Sequence, residues 1–564
     1  MNETFDLVVV GSGAAGLSCA LTARHLGLSV VVLEKTPWIG GSTAYSGGAV
    51  WIPNNPQQVA AGAAEPPEQA LDYLRHEVGN HGSVEHWRAF LDAGPKMLRF
   101  MEENTDLHFS MRAKAPDYHP DAPGAAEGYR VLDPIDFDGR RLGPDLARLR
   151  EPIAEFTVLG GMPVGRADIP HMYTMTRSAR SAAHVAGILA RHLGDLVRHG
   201  RSTRLVLGRA MAGRLAASAL AKGIDIRTEW PVAKLVMEAG AVTGVVAHRG
   251  GQARTVLAAK GVVLAGGGAP QSAELDAVLH PHKRHDGHWS MSPAENEGDG
   301  VRMAMAVGAR LGDGNAEPLF YAPVSLLPQK DGSTRPFPHL FLDRAKPGVI
   351  AVDGTGRRFV NEANSYHDFV RAMLGHGTGQ AARPPFWLLT DHRALRRYGL
   401  GAVPPFPGRI GPYLASGYLK RARTIAALAA AIGVEGAALE ATVSGFNVAA
   451  SQGADPDFGK GSTSYNRYLG DPDNRPNPCL APLEKGPFYA IRLHPGDIGA
   501  ATGVVTDPRA RVLDAHGAPV SGLFACGNDA NSIMGGAYPG AGITLGPALT
   551  FGYVAAHTAA GLEP

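Results

Sequence analysis

The first forty residues alternate between unbroken apolar runs and glycine. Leu7-Val8-Val9-Val10 is followed by Gly11-Ser12-Gly13-Ala14-Ala15-Gly16, an apolar stretch, and a second run ending at Glu34. An apolar run with no polar alternation predicts a strand buried on both faces, and the spacing beyond it predicts a helix and a second strand. Residues 65–110 carry apolar stripes at helical spacing through Leu71, Tyr73, Leu74, Phe90, Leu91, Met97, Leu98 and Met101. From Leu107 to about Met175 the chain is rich in Pro, Gly and Asp, which predicts a long irregular segment. Short β-forming runs then recur at 224–228, 233–237, 242–248 and 254–258, as in an antiparallel meander. Gly261-Val262-Val263-Leu264-Ala265-Gly266-Gly267-Gly268 predicts one more buried strand ending in glycines. Between 321 and 497 the pattern changes to prolines, short strands and a helix at Thr424–Ile432. The chain closes with a strand at 522–526, Gly527-Asn528, and an apolar helix opened by Gly540–Gly546 that runs through Phe551 and Val554.

The first glycine turn has a chemical meaning. Gly11 permits the tight turn, Gly13 lets backbone approach a pyrophosphate, and Gly16 lets the helix lie on the strand, so helix-start N–H groups face an anion. Glu34, about twenty residues on, is placed for a ribose diol. A second glycine-rich stretch follows Lys35, with Gly40-Gly41-Ser42-Thr43 and Ser46-Gly47-Gly48, which a nicotinamide dehydrogenase does not need. Two such runs would follow an extended cofactor from adenosine towards a flavin ring, which points to FAD. The expected fold is α/β: a Rossmann-type FAD-binding domain with an antiparallel β-meander over 1–320 and 498–564, interrupted at 321–497 by an inserted α+β catalytic domain. The helix start at Gly540–Gly546 would offer its positive end to the flavin pyrimidine.

Composition narrows the partners. The 564 residues are 45% hydrophobic with a net charge of +2, enough for a large core and against a dedicated nucleic-acid binder. Cys19, Cys479 and Cys526 form no metal or redox spacing. The N-terminus enters its first strand at once and no long apolar run follows, so a cytoplasmic protein is expected. The segment 177–214 holds Arg177, Arg180, Arg191, Arg198, Arg201, Arg204, Arg209 and Arg214 against the single acid Asp195. Such a basic amphipathic stretch offers peripheral contact with an anionic membrane, against the simpler reading of a solvated helical pair. His280, His282, His285 and His288 crowd one loop in no spacing that suits a metal, so a solvated loop and no metal are expected.

The motifs taken together resemble the 3-ketosteroid Δ1-dehydrogenases of the fumarate reductase/succinate dehydrogenase-like flavoproteins. The resemblance runs nearly end to end and rests on Val9–Gly16 with Glu34-Lys35, Trp51–Pro56, Asp117-Tyr118-His119-Pro120, Arg358–Glu362 with Tyr366, Arg475–Pro478, Pro495-Gly496-Asp497 and Tyr538–Pro547. It implies that Tyr538 and the Gly542 N–H bind a ring ketone, and that Tyr366 takes the C2 proton as tyrosinate. Tyr118 would hydrogen-bond Tyr366 and lower its pKa, and hydride would pass from C1 to flavin N5. It also implies FAD contacts from Gly11, Ser12, Gly13, Ala14, Ala15, Gly16, Glu34, Lys35, Gly40, Gly41, Ser42, Thr43, Ser46, Gly47, Gly48, Val232, Ala265, Gly266, Gly267, Gly527, Asn528, Gly542, Thr544 and Leu545. Two stretches, Glu317–Pro323 and Gly499–Gly503, depart from the family pattern where they would line the pocket, which opens smaller cyclic ketones such as cyclohexanone derivatives as an alternative substrate. A noncatalytic redox sensor is the alternative of another class. With no second dinucleotide fingerprint, a quinone or other carrier is the expected electron acceptor. Covalent attachment in succinate dehydrogenase relatives uses a His in the second glycine-rich region, and Ser42-Thr43-Ala44 offers none. Acid precipitation should therefore release all flavin into the supernatant, and colour retained by the pellet would contradict a noncovalent cofactor.

Overall fold

The apolar runs form the centre of an eight-stranded sheet. A computed structural model describes residues 3–154, 157–158, 161–281, 287–376 and 382–564. Its strand Glu3–Val10 lies between Val30–Leu33 and Gln252–Leu264 and runs parallel to both. Side chains alternate across a strand, so Leu7, Val9, Val30 and Val32 enter one core while Val8, Val10, Val31 and Leu33 enter another. That two-sided burial is why the run shows no polar alternation. Asp225–Arg227 extends the sheet beyond Val30–Leu33, and Ala241–Arg249 and Val232–Glu238 form the expected meander on the other side.

The runs at 254–258 and 262–264 are one continuous strand, Gln252–Leu264, rather than two. Gly261, at φ +134°, marks where its neighbour changes: before it the strand pairs with Ala241–Arg249, and after it with Pro519–Ala525. The last helix, Leu545–Ala560, packs on the first, Ala14–His25, with the Ser18 hydroxyl donating to the Leu549 carbonyl at 2.7 Å. A Cβ on Gly552 would lie 2.4 Å from the Ala15 oxygen, so the two backbones touch.

A second, antiparallel sheet has the order Val349–Val352, Phe386–Thr390, Phe488–Leu493, Leu419–Ala422. Val349, Ala351 and Leu388 on one face join a core of the first sheet, while Ile350, Val352 and Leu389 meet the helices Ile425–Ile432 and Gly436–Ser451. The first of these helices is the expected one. The second was not legible, because its glycines and alanines blur the apolar period.

One further expectation is sharpened and two need correction. The stripes over 65–110 are two helices, Pro67–Val78 and Val84–Asn104, separated at Gly79–His81. The segment 107–175 is not structureless: Val131–Pro134 pairs with both Phe109–Met111 and Val50–Trp51, and the fully buried Arg130 binds Glu65 and Asp117. The arginine-rich stretch is two helices, Ala179–His199 and Leu207–Ala221, but much of its charge is internal. Arg204 binds Asp136 and Asp168, Arg209 is buried beside Glu151, and Arg214 donates to the Ile135 and Asp136 carbonyls. An exposed face with Leu193 and Val197 remains on the first helix alone. No helix among the described residues is long and apolar enough to cross a membrane.

A Cβ on Gly16 would fall 2.1 Å from the Gly11 oxygen. Gly16→Ala should therefore cost about 1–3 kcal/mol through backbone displacement, read as a lower Tm and weaker flavin retention; an unchanged Tm and full colour would contradict the close packing.

Candidate active site

Five separated segments converge at the C-terminal ends of the parallel strands. Gly11, at φ +108°, turns against the backbone of Ala265, where a Cβ would meet the carbonyl oxygen at 2.2 Å. Gly13 differs, since the nearest atom to its added Cβ is the Thr43 hydroxyl at 3.6 Å, which leaves the room a pyrophosphate needs. The Ala14 N–H donates to that hydroxyl at 2.9 Å, and the Gly40 N–H donates to Ser12 Oγ at 3.1 Å, so the two glycine runs are bound together. The Asn296 amide donates to Ser42 Oγ and the Gly267 carbonyl. Gly266 and Gly268 donate N–H bonds to the buried Asp529, whose carboxyl burial raises to about 6 against the pull of those bonds. A small pocket opens beside them, lined among others by Phe320, Gly527, Asn528, Ile543, Thr544 and Phe551. The glycine turns, helix start and cavity fit an extended dinucleotide.

Some predicted cofactor residues have structural partners as well. Glu34 accepts from the Ser12 N–H and hydroxyl and from Thr36, so it braces the glycine turn. Lys35 binds Glu297 and Asp299. Ser46 donates to the Thr43 carbonyl and accepts from the Gly48 N–H, while Gly41 and Gly47 present open backbone. Val232 begins its strand two residues after Trp230, whose N–H binds the Glu34 carbonyl. Ala15 lies against Gly527, and Leu545 starts the last helix.

The tyrosines come from three distant places and meet in one buried cluster. Tyr118 sits in a loop whose N–H binds the Pro539 carbonyl, Tyr366 begins the helix Tyr366–Met373, and Tyr538 precedes the glycines of the last loop. The Tyr118 and Tyr366 hydroxyls are 3.2 Å apart. The Tyr538 ring stacks on Tyr118 at 5.6 Å and meets Tyr366 edge-on at 5.1 Å. Gly542, at φ +97°, is pressed on Val50, where a Cβ would lie 2.6 Å from Cα, so glycine is required. Among the described residues, no acceptor takes its N–H.

The protonation pattern corrects one expectation. Burial pushes the Tyr366 phenol well above its ordinary value of 10, and Tyr118 and Tyr538 add to the rise. Tyr118 therefore does not lower it in the protein alone. Tyr118 itself is pushed by burial up to about 12, against the opposing pull of Tyr366 and of the cations Arg112 and Arg344.

The family model described as an FAD binding domain matches residues 6–545. The solved 3-ketosteroid Δ1-dehydrogenase of Sterolibacterium denitrificans, in complex with 1,4-androstadiene-3,17-dione, is 35% identical, with a TM-score of 0.91 over 99% of this chain and all of that one. The chain belongs to the 3-ketosteroid Δ1-dehydrogenase family. As an FAD-dependent oxidoreductase of this family, it also resembles the 4-oxocyclohex-2-ene-1-carboxylate 5-dehydrogenase of Sinomonas cyclohexanicum, at 40% identity over 99% of this chain and 94% of the relative. The 3-oxosteroid 1-dehydrogenase of Mycobacterium tuberculosis strain H37Rv is 36% identical over 98% of each.

Several residues at the site went unseen in the sequence. Tyr465 lies 4.7 Å from the Tyr118 ring and is buried, yet it comes from a short helix in the proline-rich region with no motif around it. Asp529 could have been suspected, since it follows a strand and glycine just as the first fingerprint does. His280 and His288 are not solvated: their rings pack at 4.7 Å, and they bind Asp276 and Asp497. With Asp497 they bring ligand atoms to within 4.8 Å of one another, a wide spacing for a transition-metal shell. His282 and His285 lie outside the described residues.

The Arg358–Glu362 motif supports the site from behind. Glu362 is fully buried, pairs with Arg358 at 2.8 Å, lies near Lys460, and accepts from the Ala351 N–H. Burial pushes its carboxyl up, but the two cations outweigh this and hold it below its ordinary value. Its stabilising charge is present above the unfolded-state pKa and is lost as pH falls through the lower folded value. Glu362→Gln should cost about 3–5 kcal/mol at neutral pH and flatten the acid limb of the stability curve; denaturant titrations matching wild type at both pH values would contradict this.

Proposed function

We propose that this flavoprotein desaturates a ring ketone between its α and β carbons, with 3-ketosteroids, dehydrogenated between C1 and C2, as the substrate class. The observation that carries the reading is the meeting of Tyr118, Tyr366 and Tyr538 in one buried cluster, which Phe320 joins to the pocket beside the glycine turns, with Gly542 four residues after Tyr538. The Tyr538 hydroxyl and the Gly542 N–H bind the ketone oxygen and hold the charge that develops there as the C2 proton leaves. Tyr366 takes that proton. It does so as the phenolate, which is basic enough for a proton next to a ketone, but burial makes that anion costly. Tyr118, 3.2 Å away and facing the charges of Arg112 and Arg344, donates its hydroxyl to that anion once substrate and FAD are bound, a help the protein alone does not supply. FAD, held by the residues that line the cradle, supplies the two-electron acceptor for the C1 hydrogen. A quinone or similar carrier is the acceptor we propose for reoxidation, because the chain carries a single dinucleotide fingerprint.

A smaller cyclic ketone is the second reading, supported by the 40% identical relative and by the Tyr538 ring packed at 5.6 Å on Tyr118 and at 5.4 Å on Phe320. Anaerobic titration with androst-4-ene-3,17-dione and with a cyclohexanone carboxylate distinguishes the two by which one bleaches the flavin; bleaching by neither would favour a redox sensor. Tyr366→Phe and Tyr538→Phe should each lower kcat by about a hundredfold or more with flavin still bound, and near-normal turnover would overturn the assigned roles.

A further inference from the structure

We propose that His119 is a positioning residue for this reaction: its imidazole, held between the carboxylates of Glu77 and Asp368, fixes the Tyr118 phenol against the Tyr366 phenol. The inference rests on the desaturase reading and adds a residue to it. His119 is the next residue after Tyr118, and Asp368 lies two residues beyond Tyr366 in the first turn of the same helix. His119 Nε2 binds Asp368 Oδ2 at 2.8 Å, and Nδ1 binds Glu77 at the end of the helix Pro67–Val78. One ring thus bridges the loop that carries one phenol and the helix that carries the other. The Tyr118 N–H already ties that loop to the Pro539 carbonyl, on the Tyr538 side. The bridge through His119 supplies the tie on the Tyr366 side.

A ring bound by a carboxylate at each nitrogen donates from both, which makes it an imidazolium. Desolvation pulls the His119 pKa down, but the hydrogen bonds and charges of Asp368 and Glu77 outweigh it and bring it up to about 10. The remaining groups around it do not supply a competing donor pair. Tyr73 Oη accepts the His119 backbone N–H, Ser365 donates to Asp368, Arg371 stands 3.7 Å from Asp368, and burial keeps His367 neutral, with a pKa near 4. Side-chain exposure of 40% leaves His119 in proton exchange with solvent, so the bridge follows the pH of the medium. It is complete below the His119 pKa and is lost as pH rises through about 10, when a neutral ring faces two carboxylates.

The test uses the holoenzyme with the ketone that bleaches it. His119→Ala should lower kcat by about tenfold to a hundredfold through misplacement of the phenols, with KM within about threefold of wild type. Glu77→Gln is the conservative rescue: its amide donates to Nδ1 while a neutral ring still donates from Nε2 to Asp368. It should hold kcat within about threefold of wild type and remove the alkaline loss of activity. Wild-type kcat in folded, yellow His119→Ala protein overturns the inference alone. So does a Glu77→Gln profile that keeps the wild-type alkaline limb, a readout that serves even where His119→Ala fails to fold. A wild-type protein that bleaches with no ketone overturns the desaturase reading, and this inference with it.

Discussion

The structure depends on backbone touching backbone where side chains would intervene. Gly11 rests on the carbonyl of Ala265, Gly16 on the carbonyl of Gly11, and Gly552 on the carbonyl of Ala15. These contacts stack the first strand, the first helix and the last helix closely enough that a helix start faces the ends of the parallel strands. Larger residues would open the stack and move the anion-binding N–H groups away from the cavity. The cost is conformational freedom surrendered by glycine on folding, which the two apolar cores flanking the sheet offset.

The tyrosine cluster poses the opposite problem, because it buries polar groups instead of excluding them. Phenols removed from water resist ionisation, yet a proton must be taken from a carbon. The fold answers with grouping: hydroxyls within hydrogen-bond reach of one another, with the charges of the part-buried Arg112 and the buried Arg344 favouring the anionic form of Tyr118. Arg344 is itself fixed by the carbonyls of His339, Leu340, Glu362 and Asn364, so its charge stands where the backbone puts it. The Arg358–Glu362–Lys460 network anchors the same stretch of chain just before Tyr366.

Much of the nucleotide end was legible because its chemistry is local. Gly11, Gly13, Gly16 and Glu34 are fixed by spacing within a single strand–turn–helix unit, and the structure brings them together as that spacing implies. The buried strands were legible for the same reason, since two-sided burial removes polar residues. Tyr118, Tyr366 and Tyr538 were found through resemblance to a family; no local pattern distinguishes them from other buried tyrosines. Tyr465 meets the site through long-range packing, and a single sequence carries no period that marks such a contact. The arginines of 204–214 misled for a related reason. Their partners, Asp136, Asp168 and Glu151, lie outside the stretch, so a basic surface was read where much of the charge is internal.

The strand Pro519–Ala525 completes the central sheet beside Gln252–Leu264, and the helix that follows it seals the first helix through contacts such as Ser18 to Leu549, 531 residues apart in sequence. A growing chain that leaves the ribosome therefore carries half a nucleotide cradle until its last sixty residues emerge. Until then the side of the first helix that meets Leu545–Ala560 has no native cover. The region from 321 to 497 is synthesised in that interval, so its sheet can assemble before the cradle that precedes it in the chain. The contact that closes the cradle is therefore one of the longest in sequence separation, although the motif it completes is among the first residues read.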